Sequence, residues 1–176
     1  GKTFAITQNH IEKLMFGDAN VDIVLYTVPL NEILENDKFD ECAEEIMKEY
    51  KETVKFTDNA KIALKELNKG KKVIFCTTHQ GIWTKNAKFG QKLFNYIVEN
   101  KIKTAVFIDE AHTWTVSHAD NYKATTGNSP VNYEAALFKS VSVLAEFTPY
   151  IFGITATLNR EHLDIIPVIG NMKYKV

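Results

Sequence analysis

A β-branched and aromatic run that ends in two acids, Val106–Phe107–Ile108–Asp109–Glu110–Ala111–His112, constrains this chain more than any other stretch. Apolar residues at consecutive rather than alternate positions mark a strand buried on both faces, the pattern of a parallel sheet covered by helices. Such open α/β sheets bind ligands at the C-terminal ends of their strands. Two adjacent carboxylates delivered to that edge suit a Mg²⁺-bound nucleotide, one acid for the metal's shell and the next to polarise a water. The plainer alternative is a strand followed by a helix with an acidic first turn, because acids are favoured at helix N-termini.

Two other stretches bear on that choice. The chain opens Gly1–Lys2–Thr3, the last three residues of the phosphate-cradling pattern G-x-x-x-x-G-K-[ST]. There the glycine lets the backbone approach the phosphates, the lysine reaches the β and γ oxygens, and the threonine hydroxyl ligates Mg²⁺. Such a loop needs a helix behind it, N-terminus toward the anion. Phe4, Ile11, Leu14 and Met15 make one apolar stripe that Gly17–Asp18 would end. A chance Gly-Lys-Thr is the bland alternative. Further on, Gly153–Ile154–Thr155–Ala156–Thr157–Leu158 places two hydroxyls at the end of another apolar strand.

In this order and with these gaps, Gly-Lys-Thr, Asp-Glu-Ala-His and Thr-Ala-Thr resemble motifs I, II and III of superfamily 2 helicases and translocases. The resemblance covers nearly the whole chain and implies the fold of the family's first RecA-like domain over residues 1–176. That fold is an α/β P-loop NTPase domain, a mainly parallel sheet with helices on both faces. Residues 154–161 are most similar to the excision-repair helicases and to related phage and restriction-type translocases. The commoner family pattern has proline where this chain has Leu158.

The resemblance implies ATP and Mg²⁺ as cofactors. Gly1, Lys2 and Thr3 would cradle the phosphates, with Lys2 on the β/γ oxygens and Thr3 and Asp109 holding the metal. Glu110 would position or deprotonate the attacking water, and His112 would link the nucleotide site to motif III. Thr155 and Thr157 would couple nucleotide state to nucleic-acid contacts. The expected partners are DNA, or less readily RNA, and a second RecA-like domain of the same polypeptide. The expected activity is nucleic-acid-dependent ATP hydrolysis that drives unwinding or translocation. Rival readings are a nucleotide switch module without nucleic acid and the ATPase part of a restriction translocase.

Along the chain, Val21–Val28 is nearly continuous in apolar character and Pro29 ends it, so a second buried strand is expected there. The family's motif Ia falls at this strand end, and the resemblance places Thr27, Pro29 and Asn31 on a nucleic-acid backbone. A long acidic amphipathic segment follows, from about Asn31 to Tyr50, its charges forming a solvated face. Val54–Phe56 suits a short strand. Asp58 suits an N-cap, Ile62, Ala63 and Leu67 a buried stripe, and Gly70 the C′ position. Lys72–Thr78 is the next strong strand. It leads into Thr77–Thr78–His79–Gln80–Gly81, which offers hydroxyl and amide donors at the same sheet edge. The family has a T-x-x-Q-like turn here that contacts phosphates, which implies that role for Thr77, Thr78 and Gln80. Trp83 suits half-buried packing better than base stacking. Helices are expected around Phe89–Glu99 and Tyr133–Phe147, and a strand over Tyr150–Thr155, with an irregular loop at 113–132. The alternation of strand and helix calls for parallel pairing with crossovers.

Composition narrows the alternatives. At 176 residues with 45% hydrophobic and 24% charged content, the chain suits one two-sided α/β core. A net charge of −1 excludes a global basic field, so any nucleic-acid surface must be a local patch. Cys42 and Cys76 give neither a disulfide framework nor a metal spacing. With no signal pattern and no long apolar run, a cytoplasmic protein without a membrane partner is expected. His112, His118 and Asp120 beside Asp109 offer a transition-metal alternative, weaker than the nucleotide reading.

Two expectations concern what the chain lacks. The phosphate loop of these domains follows a central strand, which would lie before Gly1. A sheet missing an internal strand would show an apolar gap, so an N-terminal extension is expected. Arg160 is also the only arginine. In superfamily 2 the arginine fingers come from the second RecA-like domain, so the chain alone should bind nucleotide weakly and turn it over negligibly.

Overall fold

Six consecutive buried residues, Ile23–Val28, form the central strand β1 of an all-parallel sheet. The computed structural model describes residues 10–28, 48–50, 52–78, 88–109 and 143–154. Within them β2 (Val54–Thr57), β3 (Lys72–Thr78), β4 (Thr104–Ile108) and β5 (Ile151–Gly153) complete a five-stranded sheet of order β2-β3-β1-β4-β5. Apolar continuity tracks position. β1 and β4 are buried at every residue, and β3 at all but its ends. The outer strands β2 and β5 bury only some positions.

Strand parity divides the core in two. One face carries Ile23, Leu25, Val73, Phe75, Val106, Ile108 and Ile151. It packs against Ala63 and Leu67 of α2 (Ala60–Asn68) and Leu93 and Ile97 of α3 (Lys88–Glu99). The opposite face carries Val24, Tyr26, Val28, Ile74, Cys76, Ala105 and Phe107, covered by Ile11 and by Met15 of α1 (Glu12–Phe16). Helices therefore lie on both faces, as the sequence leads one to expect. The expected gap inside the sheet is not found, since each of the five described strands is hydrogen-bonded to the next.

Local chemistry sets the helix ends. Asn59, not the expected Asp58, caps α2, its Oδ1 accepting from the amides of Lys61 (3.0 Å) and Ile62 (3.2 Å). Thr57 Oγ1 accepts from the Asn59 amide at 3.0 Å, so the chain turns one residue later than Asp58 would require. At the other end Gly70 has φ +80, and its amide bonds Leu67 O while that of Lys71 bonds Glu66 O. Those two bonds are a Schellman closure, with glycine at the left-handed position. The sequence also assigns Ile62 to the buried stripe, but it is 39% exposed. Adjacent Ile62 and Ala63 point about 100° apart on a helix, and the sheet takes the face centred on Ala63 and Leu67. After α1, a Cβ at Gly17 would collide with the backbone oxygen of Lys13, so only glycine fits that turn.

The expected strand at Tyr150–Thr155 is Ile151–Gly153, and residues 143–145 are helical within the expected 133–147 helix. Thr148 ties this segment to the sheet by donating from Oγ1 to Thr104 O. No helix among the described residues is long and apolar enough to cross a membrane.

Candidate functional site

The strand order locates the candidate site. From β1 the chain runs to β2 and back to β3 on one side of it, then crosses to β4 and β5 on the other. Connections leaving β1 and β4 at their C-terminal ends thus diverge. Open α/β sheets as a class bind ligands at such a switch in direction. Asp109, the first residue after β4, lies at this switch point.

Asp109 is 6% exposed, and hydrogen bonds tie both its backbone and its side chain to β1. Its amide donates to Thr27 O at 2.8 Å, extending the β1–β4 ladder one residue beyond the strand. Its Oδ2 accepts from the Tyr26 hydroxyl at 3.2 Å. Parity explains the second contact. Tyr26 lies opposite Phe107, and Asp109, two residues on, returns to the same sheet face. A nearly buried carboxylate needs such partners, because leaving one unsatisfied is costly.

Thr27 is fully buried, its Oγ1 donating to Phe107 O at 3.4 Å. Its side chain lies inside the sheet, not on the surface where the motif Ia resemblance would use it. Thr77 sits beside Thr27 in register and is also buried, whereas Thr78 lies opposite Val28 and is partly exposed. Thr78 shares its sheet face with Asp109, two strand spacings away, or about 10 Å. Among the expected contact residues, Thr78 is thus the described one that reaches solvent at this edge.

The expected site residues Gly1, Lys2, Thr3, Pro29, Asn31, Gln80, Glu110, His112, Thr155 and Thr157 lie outside the described residues, as do Trp83, His118, Asp120 and Arg160. No group of three or more His, Cys, Asp or Glu that could hold a metal occurs among the described residues. Among the described residues at the C-terminal edge of the sheet, Asp109 supplies a carboxylate, the hard-oxygen chemistry that Mg²⁺ takes.

A second polar cluster lies at the opposite, N-terminal edge and is structural. Lys72 donates from Nζ to Asn20 Oδ1 (2.9 Å) and Val21 O (2.8 Å), and lies 3.7 Å from Asp22. Burial holds its pKa below the usual lysine value. Its ammonium also sits 5.7 Å from the centroid of Phe16, whose ring stacks on Tyr50. The Tyr50 hydroxyl donates to Glu12 Oε1, and that bond is the main reason its pKa is pushed up to about 12. These groups pin α1 to the N-terminal edge of the sheet, at the opposite end from Asp109.

Sequence inspection misses Tyr26. The available signal is a lone tyrosine in a central strand that is aliphatic but for Thr27, where a phenol must find a partner. Comparison with protein-family models, curated proteins and solved structures finds no match to this chain.

Proposed function

We propose that this chain is the ATP-binding half of a nucleic-acid-dependent ATPase that translocates on or unwinds DNA or RNA, with the RecA-like fold of superfamily 2. The observation that carries the reading is Asp109, the first acid of Asp-Glu-Ala-His, nearly buried at the switch between β1 and β4. The order of Gly-Lys-Thr, Asp-Glu-Ala-His and Thr-Ala-Thr along the chain supports it, as does the two-sided parallel sheet.

In this reading Lys2 binds the β/γ-phosphates, while Thr3 and Asp109 hold Mg²⁺. Bound there, the ion would neutralise charge on the phosphate oxygens. Glu110 orients water and takes its proton as the water oxygen bonds the γ-phosphorus. The bond to the β–γ bridging oxygen breaks, leaving ADP and phosphate. Thr155 and Thr157, just beyond β5, relay nucleotide state to the nucleic-acid surface, to which Thr78 and Gln80 contribute neutral donors.

One observation favours the alternative, a nucleotide switch that binds no nucleic acid. The hydroxyl of Thr27 is turned inward to Phe107 O, which leaves one expected contact without an exposed side chain. Phosphate release by the full-length protein, with and without single-stranded DNA or RNA, separates the two. Stimulation is expected; turnover indifferent to either nucleic acid would favour the switch, and failure to bind ATP would overturn both.

A further inference from the structure

We infer that Tyr26 is a positioning residue that fixes the Asp109 carboxylate for metal binding; the inference rests on the proposed role of Asp109 as metal anchor. A phenylalanine would fill the core here as well as a tyrosine does, so the hydroxyl calls for a separate reason. Tyr26 is fully buried at the middle of β1, where an unpartnered phenol would be costly. Its hydroxyl meets Asp109 Oδ2 at 3.2 Å, between residues 83 positions apart in sequence.

Strand geometry makes the contact possible. Asp109 lies two residues beyond the register partner of Tyr26, about 6.6 Å along the strand direction, a distance a tyrosine side chain spans. Packing fixes the ring that carries the hydroxyl. Tyr26 lies against Phe107 (centroids 6.5 Å apart), which stacks on Phe152 of β5 at 4.8 Å. An aromatic row across β1, β4 and β5 thereby aims the hydroxyl. The Asp109 backbone is already tied to Thr27 O, so the remaining freedom is in its side-chain torsions. The phenol restrains those torsions. Hydrogen bonds of this kind to a ligating carboxylate orient it, and their loss typically weakens metal binding roughly 10- to 100-fold.

The test is Mn²⁺ binding in the presence of ATP, followed by electron paramagnetic resonance on the full-length protein. Wild type is compared with Tyr26→Phe, Asp109→Asn and the double variant. ATP affinity in a chelator and thermal unfolding are measured alongside. Tyr26→Phe should weaken Mn²⁺ binding roughly 10- to 100-fold while leaving metal-free ATP affinity unchanged. The double variant should bind no more weakly than Asp109→Asn alone, because both changes act through one carboxylate. Replacing Tyr26 by 4-aminophenylalanine, which keeps a donor at the same place, should restore binding. It also serves where Tyr26→Phe fails to fold, since loss of binding with the donor kept would contradict the inference. Wild-type Mn²⁺ affinity in Tyr26→Phe beside an impaired Asp109→Asn would make Tyr26 purely structural and overturn the inference alone. Unchanged affinity in Asp109→Asn would overturn the metal-anchor reading, and the inference with it.

Discussion

Two isoleucines on neighbouring helices should respond very differently to the same truncation. Ile97 of α3 is fully buried against the face built from Ile23, Leu25, Val106 and Ile108. Ile97→Ala removes three carbons from that core, a transfer loss of about 2.4 kcal/mol at ~0.8 kcal/mol each. The space left behind adds to this and carries the total into the range of about 3–4 kcal/mol. For a chain of this length that is a fall of roughly 6–16 °C in Tm, at ~2–4 °C per kcal/mol. Ile62 of α2 is 39% exposed and sits beside the contact face, so Ile62→Ala should cost under about 1 kcal/mol. Urea unfolding of both variants, with the slope m checked against wild type, measures the two costs directly. Equal losses would refute the assignment of faces, and so would an Ile97→Ala variant as stable as wild type.

Two further outcomes follow from the local chemistry. Asn59→Ala should destabilise by about 1 kcal/mol through loss of its two capping bonds, whereas Asp58→Ala should stay within ~0.5 kcal/mol; chemical denaturation of the pair decides which residue caps α2. Glu66 is held below its ordinary pKa of 4.5, chiefly by the hydrogen bond from Lys69 at 2.8 Å. Its contribution is therefore fully present above pH 4.5 and lost as pH falls through the lower folded-state value. Glu66→Gln should flatten the acid side of the stability–pH curve and leave its slope near neutrality unchanged.

The sequence discloses the strands well because β1, β3 and β4 are apolar over consecutive residues, which a buried parallel strand requires. The helix spanning Leu93 and Ile97 and the glycine stop at Gly70 are legible for similarly local reasons. What is not legible depends on neighbours. Asp58 and Asn59 are both good caps, and only the path of the turn after Thr57 chooses between them. Ile62 and Ala63 both suit an apolar stripe, and the position of the sheet decides which is covered. The strand order has no local signature, so neither does the Tyr26–Asp109 contact that it creates. Parity within β1 and β4 does place both residues on one face, once the two strands are known to be neighbours.

The central claim is that the strand ending at Asp109 and Glu110 delivers a metal anchor and a water-positioning base to a nucleotide. The most direct measurement is calorimetric titration of Mg-ATP, paired with single-turnover phosphate release, on full-length wild type, Asp109→Ala and Glu110→Gln. Glu110→Gln should bind Mg-ATP like wild type and release almost no phosphate, while Asp109→Ala should lose the Mg²⁺-dependent part of binding itself. Wild-type phosphate release by Glu110→Gln, or Mg²⁺-dependent binding retained by Asp109→Ala, would contradict the account.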